Sequence, residues 1–148
     1  MSTTVHPCRR LVLGSTLAVG AAATLTACGD GSSAAPNNNA QAVPAPSGDP
    51  VTVAEAVDLP VGTSVNVARE GSKDAYLIYR KDEKTVLAYT SVCTHAGCRV
   101  GPGEGDFHCP CHDSHFSAED GTATAGPARG ALTRYAAEIS DGKILLYP

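Results

Sequence analysis

The chain has no tryptophan, and only two phenylalanines and five tyrosines among 148 residues. A core so short of large aromatic side chains needs cohesion from elsewhere, such as a metal or a disulfide. No segment carries the apolar spacing of an amphipathic helix, and no internal repeat is present. Basic residues are scarce. Past residue 28 the chain holds nine Lys and Arg against fifteen Asp and Glu. That balance excludes a nucleic-acid binder, whose phosphate contacts need cations, and is ordinary for a soluble acidic domain. The glycine-rich run Gly101-Pro102-Gly103-Glu104-Gly105 lacks the Lys-Ser/Thr of a phosphate loop and reads as a plain turn. No Ser-His-Asp constellation is visible. Nucleotide binding and triad hydrolysis therefore fall away.

Six cysteines and five histidines are present, most of them crowded together. The first 28 residues read as a targeting segment. Arg9 and Arg10 form a basic start, and Leu11 to Ala27 is uncharged and built from Leu, Val, Ala, Gly, Ser and Thr. That run is short for a membrane span and poor in large apolar side chains. Its end, Leu25-Thr26-Ala27-Cys28, resembles a bacterial lipobox, which would make Cys28 the lipid-bearing first mature residue. An uncleaved anchor and a plain signal cleaved near Ala27 are the two other readings. All three place the domain beyond it outside the cytoplasm. The arginine pair also resembles a twin-arginine export signal, which would suit a protein that folds around a cluster before crossing the membrane. His6 and Cys8 fall inside this segment. Residues 29–50 are rich in Gly, Ser, Asn and Pro and read as a flexible tether.

Residues 51–148 carry the pattern of an antiparallel all-β domain. Ala75-Tyr76-Leu77-Ile78-Tyr79 and Thr85-Val86-Leu87-Ala88-Tyr89 flank the polar turn Lys81-Asp82-Glu83-Lys84, which predicts a hairpin. Thr133, Tyr135, Ala137 and Ile139 alternate, so they share one face of a strand. Asp141-Gly142 then precedes Ile144-Leu145-Leu146-Tyr147, the strongest short hairpin signal. The stretch between, Ser91 to Gly130, is too rich in Gly, Pro, Cys and His to predict regular strand.

That stretch holds two boxes, Cys93-Thr94-His95-Ala96-Gly97-Cys98 and Cys109-Pro110-Cys111-His112-Asp113-Ser114-His115-Phe116. Each brings Cys and His to metal-ligand spacing. A zinc site fits this poorly, since Cys-x-His sets two ligands very close and leaves Cys98 and Cys111 over. The twin-box pattern Cys-Thr-His-x-Gly-Cys with Cys-Pro-Cys-His-x-Ser resembles the Rieske iron–sulfur family, in its disulfide-containing respiratory branch. The resemblance spans about the last two-thirds of the chain. It implies a Rieske-type antiparallel β-sandwich with a small cluster-binding subdomain, and one [2Fe–2S] cluster per chain. Carried over by position, Cys93 and Cys109 would bind one iron as thiolates, and His95 and His112 the other through imidazole. Cys98 and Cys111 would form a disulfide joining the two loops. Gly126-Pro127-Ala128 looks like the proline loop that covers the cluster. Ser114 would point its hydroxyl at a bridging sulfide. Phe116 occupies a position where high-potential members carry Tyr. Asp113 stands where the family usually has Gly, and Ala96 replaces a larger apolar residue near the docking tip. His108 and His115 are not in ligand positions and read as surface or packing histidines.

The resemblance implies electron transfer at the outer face of a membrane. The first reading is the iron–sulfur subunit of a quinol–cytochrome c reductase-like chain, working between a quinol-oxidising membrane partner and a cytochrome. A lipobox and tether in place of a membrane helix also suit a free-standing lipoprotein carrier. Other readings are a subunit of another exported oxidoreductase, of the arsenite-oxidase-like kind, and a zinc-binding lipoprotein. One redox centre without a substrate-pocket motif implies no reaction on a substrate by the domain alone.

Overall fold

The computed structural model describes residues 38–148. The segment expected to be a targeting signal, the expected lipid site Cys28 and the start of the expected tether lie outside the described residues. Among the described residues, ten strands and one short 3-10 turn make up the regular structure. The strands are β1 (Val51–Glu55), β2 (Ser64–Ala68), β3 (Ala75–Arg80), β4 (Val86–Thr90), β5 (Gly101–Pro102), β6 (Asp106–Cys109), β7 (Ser114–Ser117), β8 (Ala123–Ala125), β9 (Arg134–Ser140) and β10 (Lys143–Tyr147). They form a six-stranded sheet in the order β1-β10-β9-β4-β3-β2 and a four-stranded sheet in the order β5-β6-β7-β8, with every pairing antiparallel. The larger sheet curls nearly into a barrel: β1 and β2, its two edges, line one cavity of about 350 Å3. Among the described residues no helix is long and apolar enough to cross a membrane.

The two expected hairpins are present. β3 and β4 pair with Ile78 opposite Ala88, and β9 and β10 pair across Asp141-Gly142. Both turn residues have positive φ, 49° and 77°, which a two-residue hairpin turn of the primed kind requires. β3 and β4 are nearly continuous apolar runs because both faces of the sheet are covered there. Leu77, Leu87 and Tyr89 pack with Phe107, Phe116, Cys93 and Cys109 of the small sheet and its loops. Tyr76, Ile78, Val86 and Ala88 turn the other way, onto Ile144 and Leu146 inside the curled sheet. Tyr135, Ala137 and Ile139 pack against that second core, as their alternation predicts, whereas Thr133 precedes β9 and is exposed. Each large side chain so buried contributes about 1.5–3 kcal/mol. The Arg80 guanidinium closes one end of the sheet by donating to the carbonyls of Ala56 and Leu59.

Ser91 to Gly130 departs from expectation: it contains four strands, β5 to β8, rather than irregular chain alone. They are two to four residues long, too short for a local pattern to announce them. β6 and β7 still alternate faithfully. Phe107 and Cys109 on one strand, and Ser114 and Phe116 on the other, point into the core with their intervening neighbours outward. The described end of the tether, residues 38–50, forms no strand and is exposed. It is nonetheless fastened at two points. The Asn38 side chain accepts from the Ala123 N–H (2.6 Å) and donates to the Ala123 carbonyl (2.9 Å), and Gln41 Oε1 accepts from the Arg134 N–H.

Candidate metal centre

Three loops converge at the end of the small sheet. The first, between β4 and β5, is closed by a Val92–Arg99 bridge and by the Cys93 N–H donating to the Cys98 carbonyl at 2.9 Å. The second is the four-residue loop of the β6–β7 hairpin, residues 110–113, with Cys109 paired to Ser114. Its last residue, Asp113, has a φ of 56°, in the left-handed region that Asp tolerates better than most side chains. The third loop follows β8. Gly126 (φ 79°) lies so close to the second loop that a Cβ there would sit 2.3 Å from the Asp113 carbonyl oxygen and 2.6 Å from Ser114 Cα. The Ala128 N–H donates to Ser114 Oγ at 3.3 Å, and Thr94 Oγ1 donates to the Gly130 carbonyl at 2.7 Å. The third loop thus ties down the other two, with Pro127 half-buried beside Ala128.

The four cysteines among the described residues divide into two pairs. Cys98 and Cys111 form a disulfide, S–S 2.14 Å, that joins the first loop to the second. Cys93 and Cys109 are free thiols, and both are buried. Burial pushes the Cys109 thiol up, and the hydrogen bond that the thiol shares with Cys93 as acceptor adds to the effect. The backbone N–H groups of Cys111 and His112 face the Cys109 sulfur and act in the opposite sense. His95 and His112, by contrast, are exposed. Their rings meet edge to face with centroids 4.7 Å apart. Two loops therefore gather two sulfurs on the core side and two imidazoles on the solvent side. Soft thiolates and neutral imidazoles suit iron–sulfur chemistry or zinc, and the separation into an inner sulfur pair and an outer nitrogen pair fits a unit with two different ends.

Residues 49–136, more than half of the chain, match the family model described as the Rieske [2Fe-2S] domain. The chain belongs to the Rieske [2Fe–2S] family. A Rieske domain is an electron-transfer module, and membership implies one [2Fe–2S] cluster per chain. The cytochrome b6-f complex iron-sulfur subunit of Gloeobacter violaceus is 40% identical over 79 residues, covering 51% of this chain and 42% of the relative. The chloroplastic subunit of the same name from Oryza sativa subsp. japonica is 40% identical over 77 residues, covering 49% of this chain and 33% of the relative. The chain thus spans less than half the length of these relatives. The plasma membrane Rieske protein PetC3 of the cyanobacterium Synechocystis superposes with a TM-score of 0.56 at 28% identity, over 68% of this chain and all of that one. The ferredoxin of carbazole 1,9a-dioxygenase from Nocardioides aromaticivorans, at 24% identity and a TM-score of 0.57, shares the fold. The all-β Rieske fold expected from the sequence is the fold observed.

The residues present fit a Rieske cluster. A buried thiol pair with two amide N–H groups aimed at one sulfur is a cradle for thiolate ligands, since N–H donors stabilise charge on sulfur. Ser114 is fully buried, and its Oγ accepts from Ala128, which leaves the hydroxyl hydrogen to point elsewhere. Phe116 is fully buried in the same core as Cys93 and Cys109. Ala96 is exposed at the tip with His95.

One group of side chains has no signature in the sequence. His108 and His115 face each other across β6 and β7, stacked with centroids 4.6 Å apart. His108 Nε2 lies 2.9 Å from Asp113 Oδ1, and His115 Nδ1 lies 2.7 Å from Asp106 Oδ2. The Asp106 hydrogen bond holds the His115 imidazole above its usual range, and the two histidines hold the Asp113 carboxyl below its own. The one hint is the outward half of the β6 alternation, Asp106 and His108, which only the strand register joins to His115.

Proposed function

We propose that Cys93 and Cys109 hold one iron through thiolates and that His95 and His112 hold the other through imidazole nitrogen. When bound, such a cluster supplies one-electron transfer at about −150 to +300 mV, because neutral imidazoles replace two anionic thiolates. The observation that carries this reading is the polarity of the site, with both sulfurs buried and both imidazoles exposed. The exposed rings are the surface a redox partner would meet. A solvent-facing ring nitrogen on His95 or His112 can release a proton or accept a hydrogen bond from a reduced donor, which couples proton to electron. The Cys98–Cys111 disulfide holds the two loops in register, and Ser114 and the amides near Cys109 stabilise negative charge on sulfur.

The chain then carries electrons between a quinol-oxidising membrane partner and a cytochrome. Similarity to iron-sulfur subunits of the cytochrome b6-f complex supports that reading. A lipid on Cys28 and the tether of residues 29–50 would keep domain 51–148 on the outer face of the membrane. A disulfide in the cluster loops supports an oxidising compartment. Exposed Ala96 and Asp113 beside the two imidazoles suit a shallow docking face, as a soluble cytochrome acceptor would need.

Two experiments test the reading. Anaerobically purified protein should contain equal iron and acid-labile sulfide, two of each per chain, and reduction should give a low-average-g paramagnetic signal; zinc in place of iron defeats it. Cys28→Ser should release the protein from membranes, and a variant that stays bound defeats the lipid anchor while leaving the cluster untouched.

A further inference from the structure

We propose that His108, His115 and Asp113 form a second metal site, on the surface, for a divalent transition-metal ion such as zinc(II), sharing no ligand with the cluster. The strands build it. Phe107 and Cys109 on β6, and Ser114 and Phe116 on β7, occupy the core side, so His108 and His115 occupy the outer side directly opposite one another. Asp113 ends the loop between them and brings one carboxylate oxygen to both rings, 2.9 Å from His108 Nε2 and 3.4 Å from His115 Nε2. The three donor atoms all lie within 4.8 Å of one another. Donors about 2.0–2.1 Å from zinc in a tetrahedral site are about 3.3 Å apart, close to the two distances from Asp113. Asp113 is 84% exposed, so the remaining coordination position opens to water.

A second feature points to a ligand. Asp106 lies 2.7 Å from His115 Nδ1. As a carboxylate it accepts the Nδ1 proton, so when a metal displaces the second ring proton the lone pair offered is the one on Nε2, which faces Asp113. Metal-bound histidines are supported in this way by an outer carboxylate. Asp106 is itself held in place. Its carbonyl accepts from the Gly103 N–H at 2.9 Å. Its carboxylate fills the space where any side chain at 103 would sit, a Cβ there falling 2.1 Å from Oδ1. The glycine-rich turn thus makes room for the supporting carboxylate. Two imidazoles and one carboxylate, with the Asp106 carboxylate behind them, give a nitrogen–oxygen donor set of net negative charge, suited to a borderline cation.

The holoprotein is dialysed against micromolar zinc(II), with zinc and iron counted together by mass spectrometry. The expected result is one zinc per chain with iron content and paramagnetic signal unchanged. Asp113→Gly, which relaxes the left-handed backbone and so should fold, and His115→Asn should each lower affinity more than tenfold. Asp106→Asn should lower it roughly 10–100-fold, as loss of outer support does elsewhere. Zinc uptake equal in wild type and all three variants, uptake only as iron leaves, or no uptake at all would overturn the proposal and leave a surface ion-pair cluster.

Discussion

Gly126→Ala tests how tightly the third loop clasps the cluster loops. An alanine there bears two costs. The backbone at φ 79° is left-handed, and holding an L side chain there costs roughly 1–2 kcal/mol. The new Cβ also lies 2.3 Å from the Asp113 carbonyl oxygen, 2.6 Å from Ser114 Cα and 2.8 Å from the Asp113 carbonyl carbon. All three are backbone atoms, so no side chain can swing aside. Reaching an ordinary separation of about 3.5 Å moves the loop away by about 1 Å. The Ala128 N–H to Ser114 Oγ bond is already 3.3 Å long and would break, at about 1 kcal/mol. A total of about 2–3 kcal/mol is a large share of the 5–15 kcal/mol that holds a typical domain. Gly71→Ala is the comparison. Its φ is 71°, yet nothing lies within 4 Å of its Cβ, so it bears the backbone cost alone. Urea unfolding of both holoproteins, with visible absorbance to follow cluster lifetime, separates the terms. Gly126→Ala should lower the midpoint further than Gly71→Ala and shorten the cluster's lifetime. Equal midpoints and equal lifetimes would refute the clasp.

The site sets three other outcomes. Replacing Cys98 and Cys111 together by serine opens a loop with a sequence separation of 13, which predicts a loss of about 3 kcal/mol in denaturant titration and faster cluster loss. Phe116→Tyr, which adds a hydroxyl beside the cluster loops, should raise the midpoint in protein-film voltammetry by about 40 mV, the one-electron equivalent of a hydrogen bond of about 1 kcal/mol; an unchanged potential discards the idea. His115 holds its proton above the ordinary imidazole range because of Asp106 first, and Asp113 as well. Its pairing therefore stabilises the fold fully below about pH 6.5, while the carboxylates stay ionised, and the benefit fades as pH rises through the raised value. The urea midpoint gap between metal-free-buffer wild type and His115→Asn should narrow from pH 6 to pH 9, and a gap that widens contradicts the assignment.

The parts of the fold visible in the sequence were those written into one strand at a time. Ala75–Tyr79, Thr85–Tyr89 and the alternation from Tyr135 to Ile139 each show their face locally, and Asp141-Gly142 states its own turn. The four proposed ligands, Cys93, His95, Cys109 and His112, were visible as candidates because they sit in two compact boxes. What stayed hidden depends on register between distant segments. β5 to β8 are too short for alternation to stand out against the Gly and Pro around them. His108 and His115 are seven residues apart and meet only because β6 and β7 pair as they do. Gly126 is marked by the resemblance of its loop, but the reason for a glycine there shows only in its approach to Asp113, and the Asn38 contact with Ala123 joins residues 85 positions apart.

Pulsed electron paramagnetic resonance of the reduced protein, labelled with 15N-histidine, tests the central assignment most directly. Two distinct histidine nitrogens should couple to the unpaired electron, with the signal lost or altered in His95→Ser and His112→Ser and retained in His108→Asn and His115→Asn. A reduced protein that shows no histidine coupling, or coupling that survives replacement of both His95 and His112, would contradict it.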